Sequence, residues 1–585
     1  MAAASGTAVA LDLVVLNETT LMGALWRGLS GHPMQVVATE ALVRPLAGLL
    51  TRIESWAQRR GLLGSAYVAP APIPMHDGYP GDALYRPYDP VIERSVRPLV
   101  VPFEGHPVLG EYAYAFRKSL SDYTQAMLNL TGAAAWAEAN LPVSGWTLIG
   151  APPHFARVFA LSAEQTPGAW LGPANAGGRL ANALNALAIL VGMTAWLVAR
   201  TRPAVMPEHF RLAIDRVSPI DLEVAKVVDD PAEVLMVERN RRLAAESAPG
   251  LARYRRVIRD DARTTPALAL RLIQRLAREL WALWREFGAM EAPLFGRFAA
   301  LVGKRALFAA FFHRFRPAFL WGRDDYTTDH IIRNQELRKI GSMSLGVSHG
   351  LPINTYVSQW REIDFDTYYV FGRHLYDNFY RNAWPAHMTV KAVGNIQMTP
   401  ERRARLGSGR MKDIAFFAVE TPMLPVMLEQ VRRIAEHFPD RTVWVRMKPG
   451  RSARYAAIVD VAMREMPLNV ARHEGETAYD LMLKIEYALA NFSTTGAEAL
   501  GMRVKVLVFD VDPKFADFYY RNFPGLTVAS AEDVIRRIEA IESGQEIYEF
   551  SRYESLISMS APDFRQILRA DIGIGAVPTE SVWVS

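Results

Sequence analysis

The stretch ALANFSTTGAEALGMRVKVLVFD, residues 488–510, is the part of the sequence that is most informative about the fold. An apolar strand over Tyr487–Ala490 is followed by a polar turn, a short helical segment and a second apolar strand over Val504–Phe509. Two buried strands joined through a helix predict parallel pairing, because a parallel connection needs a crossover. The hydroxyls and the glycine of the turn place free N–H groups at a helix N-terminus, where an anionic phosphate is favoured.

Strand and helix signals alternate on both sides of this stretch, which predicts an α/β fold with parallel sheets. Upstream we predict strands over Ala318–Trp321, Met343–Val347, Thr367–Phe371 and Val390–Val393, and a helix over Thr328–Ile340. Downstream of a loop at Thr399–Gly409 we predict strands over Ile414–Val419 and Thr442–Met447, and helices over Leu424–His437, Ala453–Glu465 and Ala531–Ile541.

The predicted domain boundary lies near residue 400. Residues 1–398 form one Rossmann-like domain, which opens with strands over Val9–Leu16 and Met34–Ala38, has a Pro-, Gly- and Tyr-rich loop over 70–110 and contains a helical insert over about 207–316. Residues 399–560 form a second Rossmann-like domain, and residues 561–585 form a C-terminal tail.

Length and composition restrict the class of protein. With 585 residues, half of them apolar, the chain is globular and long enough for two or three domains. The absence of cysteine excludes disulfides, thiolate metal sites and cysteine nucleophiles. A net charge of +5 favours phosphate-bearing substrates or an anionic membrane surface over nucleic acid.

An uncharged apolar run, Leu180–Ala199, is bounded by Arg179 and by Arg200 and Arg202. Twenty such residues are long enough to cross a bilayer. Three interpretations stay open from the sequence: a helix in the plane of a membrane interface, a buried core helix, or a true span.

The turn at Ser493–Thr495 is the strongest candidate for ligand binding. Ser493, Thr494 and Thr495 are placed to bind a diphosphate, and Glu498, one turn into the helix, to accept hydrogen bonds from ribose hydroxyls. The alternative is an ordinary N-cap, in which the hydroxyls satisfy only the free backbone donors of the helix.

This stretch resembles the C-terminal donor-binding motif of GT-B glycosyltransferases, and a second motif strengthens the resemblance. SMSLGVSHGLP, residues 342–352, resembles the histidine–glycine turn of surface-carbohydrate (capsule and lipopolysaccharide) glycosyltransferases and of CDP-glycerol glycerophosphotransferases. The resemblance implies that His349 is the general base on the acceptor hydroxyl and that Gly350, which follows it, contributes to acceptor binding. A structural or phosphate-contacting histidine is the alternative.

Two further groups of residues follow predicted strands. Asp324, Asp325 and His330 come after Ala318–Trp321 and are candidates for acceptor binding or, for Asp325, a second base; helix capping by Asp325 or Thr328 is the alternative. Arg446 and Lys448 end the strand Thr442–Met447 and are candidates for holding donor phosphates. The families it resembles often carry a histidine here that this chain lacks, so no second catalytic histidine is predicted.

The resemblance covers roughly residues 318–545 and implies a metal-independent GT-B glycosyltransferase without a cofactor. It would transfer a sugar from a nucleotide-activated donor to a cell-surface glycan or a lipid-linked acceptor. The alternatives are a glycerophosphotransferase of the CDP-glycerol kind and a non-catalytic, membrane-associated carbohydrate-binding scaffold. We expect a cytoplasmic protein, peripheral on the inner face of the cytoplasmic membrane.

Overall fold

A computed structural model describes most of the chain. The described residues are 9–16, 20–30, 34–39, 47–60, 75–76, 79–80, 88–124, 143–150, 153–154, 157–158, 170–171, 178–216, 220–239, 250–351, 358–407, 409–419, 421, 423–448, 453–475, 477–491, 493–511, 518–576 and 582–585.

These residues belong to two compact units. The first comprises Met1–His209, Ile258–Arg316 and Thr327–Ser342, and the second comprises Phe210–Val257, Pro317–Tyr326 and Met343–Ser585. This division differs from the predicted one, because residues on both sides of position 399 belong to the second unit.

The first unit contains its own parallel sheet. Its strands are β1 Val9–Leu16, β2 Met34–Thr39, β5 Val143–Ile149 and β6 Trp170–Leu171, and a separate antiparallel pair is formed by β3 Met75–His76 and β4 Tyr79–Pro80. The sheet order is β2-β1-β5-β6, with every pairing parallel. Residues 1–398 therefore contribute to two sheets, where the sequence predicted one, because the next strands along the chain join a different sheet.

Helices make up most of the rest of the first unit. They are Leu21–Leu29, Ala47–Arg59, Tyr88–Glu104, residues 113–124, Gly178–Ala199, Pro266–Phe287, Ala292–Arg314 and Asp329–Arg338. Tyr88–Glu104 corrects the predicted loop over 70–110. It tolerates two internal prolines because Val96, Val100 and Phe103, at helical spacing, are buried.

The apolar run predicted at Leu180–Ala199 is the helix Gly178–Ala199. It packs along Pro266–Phe287 and Ala292–Arg314. The absence of a side chain at Gly303 permits close contact, because a Cβ there would lie 3.1 Å from Ile189. By length and composition it is the one helix in the described part of the chain that could cross a membrane.

The second unit contains two sheets. Its strands are β7 Glu208–Arg216, β8 Val234–Glu238, β9 Arg255–Ile258, β10 Phe315–Gly322, β11 Met343–Val347, β12 Thr367–Val370, β13 Thr389–Ala392, β14 Met411–Ala418, β15 Val443–Met447, β16 Val470–Arg472, β17 Ile485–Ala490, β18 Lys505–Phe509, β19 Thr527–Val528 and β20 Trp583–Val584. Its helices are Ile220–Ala225, Ser358–Arg361, Pro400–Ala404, Leu424–His437, Ala453–Met463, Ala478–Met482, Thr494–Gly501, Ala531–Glu542 and Phe564–Asp571, with a π-helical turn at Tyr376–Tyr380.

Both sheets follow the Rossmann strand order. The six-stranded sheet runs β16-β15-β14-β17-β18-β19, which is 3-2-1-4-5-6 when β14 is counted as the first strand, and all its pairings are parallel. The eight-stranded sheet runs β20-β13-β12-β11-β10-β7-β8-β9, so β7 to β13 follow the same order with one strand added. The predicted α/β, GT-B-like class with two Rossmann-like sheets is confirmed.

Three strands of the eight-stranded sheet fall inside the predicted helical insert. β7, β8 and β9 lie within residues 208–258, so the prediction of helix over about 207–316 is correct for the short helix Ile220–Ala225 and for the two long helices between Pro266 and Arg314. The error has a physical reason. All five residues of β8, VLMVE, are buried, so this strand lacks the alternation of apolar and polar side chains that identifies a half-buried strand.

The predicted tail at 561–585 is part of the fold. The helix Phe564–Asp571 buries Phe564, Ile567 and Leu568 in the core beneath the eight-stranded sheet. β20 pairs antiparallel with β13, with Trp583 opposite Ala392. The chain therefore ends on the eight-stranded sheet after it has completed the six-stranded one.

Gly394, just after β13, has a backbone conformation that only glycine adopts without strain. Its φ is +70°, and a Cβ would lie 2.1 Å from the carbonyl oxygen of Ser558. Gly544 has a similar φ of +78° but no atom within 4 Å of such a Cβ.

We predict that Gly544→Ala lowers the free energy of unfolding by about 1–2 kcal/mol. Gly394→Ala should lower it further, because the backbone at Ser558 must also move to make room for the Cβ. Urea-induced unfolding of both variants tests this; equal losses would contradict it.

Candidate functional site

Two loops at the ends of β10 and β11 are joined by one carboxylate. Asp325 is completely buried, and its Oδ2 accepts hydrogen bonds from the His349 backbone N–H, at 3.0 Å, and from the Tyr368 hydroxyl, at 2.7 Å. Burial, and then the Asp325 charge, raise the pKa of Tyr368 well above its ordinary value, so this hydroxyl stays protonated and donates. Asp325 therefore positions the backbone of His349; a direct role on substrate does not fit its burial.

A group of two carboxylates and one arginine lies between β7 and β10, where the strand order reverses. The Arg239 guanidinium, just after β8, donates to both oxygens of Asp215 at 2.9 and 3.1 Å. It also lies 3.5 Å from Oδ2 of Asp324, which is buried. Such reversals are where open α/β sheets bind ligands. Asp324, predicted to contact the acceptor, is held by Arg239 here.

The His349 side chain is exposed to solvent yet surrounded by positive charge. Desolvation by neighbouring protein atoms, and then the charges of Arg323, Lys448 and Arg239, lower the pKa of His349 to about 4 from 6.5. The Tyr326 ring packs edge-on against the imidazole, with centroids 5.1 Å apart. His349 is therefore neutral at neutral pH, which is the form that can accept a proton.

The His349 loop contacts the turn of the other sheet directly. The Leu351 N–H donates to Oγ1 of Thr494 at 2.9 Å. A Cβ on Gly350 would lie 2.7 Å from the same oxygen, so glycine permits the approach. The two motifs singled out from the sequence thus meet, at the carboxyl end of β11 and at the start of the helix Thr494–Gly501.

Hydroxyl groups organise the turn itself. Ser493 is the N-cap: its Oγ accepts from the Thr495 N–H at 3.1 Å and donates to the Thr495 hydroxyl at 2.8 Å. Gly496 permits close packing of the helix, because a Cβ there would lie 3.2 Å from the Ala490 Cβ. The capping role predicted as an alternative is therefore present.

Glu498 lies one turn further along this helix. Its carboxylate accepts a hydrogen bond from the Tyr479 hydroxyl at 2.5 Å. Burial raises the pKa of Glu498, against the opposing effect of the Tyr479 hydroxyl and of the Arg323 and Lys448 charges. Lys448 and Arg323 thus act on Glu498 and on His349 alike, so one set of cations serves both sides of the site.

The two basic residues at the end of β15 differ in their surroundings. Arg446 donates to Nδ1 of His473 at 2.6 Å. Lys448 is exposed and, among the described residues, makes no ion pair. Of the two, Lys448 is the one available to an incoming anion.

His330 does not join these residues. It belongs to the first unit, where it is buried and its Nδ1 lies 2.5 Å from the Thr327 carbonyl oxygen. In the described ranges, no group of three or more His, Asp or Glu side chains is arranged to hold a metal ion.

Sequence reasoning missed Arg239, Arg323 and Tyr368. Arg323 directly precedes Asp324, so its place at the end of β10 could have been recognised from the sequence. Arg239 and Tyr368 follow or lie on strands whose neighbours become known only from the sheet order.

No protein-family model matches this chain, and no curated protein matches it. Among solved structures it is similar to an O-GlcNAc transferase mutant from Thermobaculum terrenum, with 12% identity, TM-score 0.31 and coverage of 82% of this chain and 93% of that one. It is also similar to a glycosyltransferase from Rickettsia africae, with 10% identity, TM-score 0.34 and coverage of 62% and 93%. A third similar structure is a UDP-GlcNAc 2-epimerase from Neisseria meningitidis bound to UDP-GlcNAc. It has 10% identity and a TM-score of 0.35, with coverage of 62% of this chain and 97% of that one. Similarity at this level establishes no shared activity.

The charge of Lys448 gives a prediction for His349. Because Lys448 lowers the pKa of His349, we expect Lys448→Ala to raise that pKa toward 6.5. Titration of labelled histidines by NMR measures it, with His349→Gln to assign the signal. Lys484→Ala, which removes an exposed lysine just before β17, is the matched control and should leave the pKa unchanged. An unchanged or lower pKa in Lys448→Ala would show that this charge does not reach the imidazole.

Proposed function

We propose that this protein is a GT-B glycosyltransferase that moves a sugar from a nucleotide-activated donor to a cell-surface glycan or a lipid-linked acceptor. The observation that carries the proposal is the meeting of a neutral, exposed histidine with a hydroxyl-rich helix N-terminus, at the carboxyl ends of two Rossmann sheets. Such ends are where nucleotide ligands bind in this fold.

In this proposal the donor diphosphate lies against the start of the helix Thr494–Gly501. The Thr494 hydroxyl already accepts from Leu351, and its own hydrogen remains for an anion. Lys448 supplies a point charge, and Glu498 would accept hydrogen bonds from the ribose. These groups offset the negative charge of the leaving nucleotide, which is where electrostatic stabilisation contributes most.

His349 would act on the acceptor. Its neutral imidazole takes the proton of the acceptor hydroxyl while that oxygen bonds to the anomeric carbon and the sugar–phosphate bond breaks. A pKa near 4 makes a weak base. Donor binding would oppose the part of this shift that is due to Arg323, Lys448 and Arg239, because the diphosphate is negative, and would raise the pKa of His349 from that value.

We further propose that the enzyme works without a metal, in the cytoplasm at the inner face of the cytoplasmic membrane, where lipid-linked acceptors are presented. The apolar helix Gly178–Ala199, bordered by arginines, supports this location.

Nucleotide binding is the first test. Calorimetric titration with a panel of nucleoside diphosphates should identify a ligand. Lys448→Ala and Thr494→Val should each weaken its binding about 10- to 100-fold, since a hydrogen bond to a charged group contributes about 1.5–3 kcal/mol. Thr494→Ser, which keeps the hydroxyl, and Lys484→Ala are the matched controls. If no nucleotide binds, the enzyme proposal fails and a carbohydrate-binding scaffold is favoured.

Turnover is the second test. We expect His349→Ala to lower the rate about 10²- to 10⁴-fold while nucleotide affinity stays nearly unchanged, because a general base contributes to chemistry and little to donor binding. Full rate in His349→Ala would remove the base assignment. The product mass distinguishes a glycoside from the phosphodiester that a glycerophosphotransferase would make.

A further inference from the structure

The helix Gly178–Ala199 carries an exposed stripe of large apolar side chains. The stripe consists of Leu180, Leu184, Leu187, Val191 and Val198, each 46–67% exposed. Their spacing of four, three, four and seven residues keeps them on one face. At about 1.5 Å per residue the stripe is about 27 Å long. A continuous apolar surface of this size on a folded protein marks an interaction site.

The opposite face of the same helix is fixed to the protein. Asn182 is buried and donates to the carbonyl oxygens of Gly288, at 3.0 Å, and Met290, at 2.6 Å. Leu197 is buried among residues of the helices Pro266–Phe287 and Ala292–Arg314.

The neighbouring helix disfavours a transmembrane position. On Pro266–Phe287, Arg275 bonds Glu279 at 2.9 Å and Glu336 at 3.0 Å. A hydrocarbon core would not accommodate these charges at acceptable cost. Because Gly178–Ala199 is bound along one face to this helix and exposed along the other, it is neither a core helix nor a free span.

Tryptophan and arginine are paired at both ends of the stripe. The Arg179 guanidinium lies 5.0 Å from the Trp284 ring centroid, and Trp281, 59% exposed, adjoins Trp284. At the other end the Arg200 guanidinium lies 4.7 Å from the Trp196 ring centroid. Residues 178–202 contain no Asp or Glu. Tryptophan with arginine beside an apolar face is the composition of a membrane interface.

We propose that this stripe docks in the plane of an anionic lipid bilayer, with its apolar side chains at the acyl boundary and its arginines on lipid phosphates. A second copy of the chain fits less well, because a two-fold contact through the stripe places the arginine-bearing ends of both copies together. This inference does not rest on the proposed glycosyl transfer.

Vesicle flotation of the full chain tests the docking. We expect binding to vesicles of phosphatidylcholine mixed with phosphatidylglycerol, weaker binding at high salt, and little binding to phosphatidylcholine alone. Leu187→Glu should lower the bound fraction several-fold. Leu468→Glu makes the same change at a fully exposed leucine outside the stripe and should bind like the wild type. Failure of the wild type to bind, or equal binding of the two variants, would overturn the proposal. Neither result bears on nucleotide affinity, so failure of docking would remove the proposed membrane location and leave the proposed glycosyl transfer standing.

A second measurement does not depend on a charged substitution. The chain has no cysteine, so Leu180→Cys, Leu187→Cys and Val198→Cys each provide a unique site for an environment-sensitive fluorophore. Anionic vesicles should shift the emission to the blue at all three sites, with similar quenching by brominated lipids, and leave Leu468→Cys unchanged. If the quenching placed the fluorophore deeper in the bilayer at position 187 than at positions 180 and 198, the helix would be a span and the in-plane arrangement would be wrong. Blue shifts without vesicles at rising protein concentration, together with a dimer by light scattering, would assign the stripe to a second copy instead.

Discussion

The hydrogen bond from the Leu351 N–H to Oγ1 of Thr494 is the constraint on which the site depends. It joins a loop of the eight-stranded sheet to the helix that follows the central region of the six-stranded sheet. Gly350 makes it possible, because any side chain there would meet the Thr494 hydroxyl. With the loop fixed in this way, the preceding residue, His349, is held beside the helix N-terminus while its ring stays exposed.

The charged and titratable groups of the site fall into a buried set and an exposed set. Asp325 and Asp324 are buried, one on the His349 backbone and the other beside Arg239, so both set the position of other residues. His349 and Lys448 are exposed, so both are accessible to a ligand. Desolvation, and then the cations around it, lower the pKa of His349, and an anionic ligand would oppose only the part that is due to the cations. In the proposed function, the same cations would therefore contact the donor and act on the pKa of His349.

The sequence predicted strands and helices well where apolar runs are long or strongly periodic. Met343–Val347 and Leu424–His437 are found at the predicted bounds. β7 was missed because its residues, EHFRLAIDR, mix charged and apolar side chains, and its partners are distant in the chain. The same cause hid Arg239, whose neighbours Asp215 and Asp324 are set by sheet order. The resemblance to GT-B glycosyltransferases singled out both His349 and the turn that contains Thr494, which follow strands of different sheets, but no rule of spacing shows that Asp325 is fully buried.

The two interpretations of the turn at Ser493–Thr495 do not exclude each other. A hydroxyl has one donor and two acceptor positions. Ser493 uses its oxygen to cap the Thr495 N–H and its hydrogen to bond the Thr495 hydroxyl, while Thr494 uses its oxygen on Leu351. In these hydrogen bonds the Thr494 and Thr495 hydroxyl oxygens act as acceptors. Capping and the proposed phosphate binding are therefore compatible, and a lost cap would weaken the helix on which the proposed site is built.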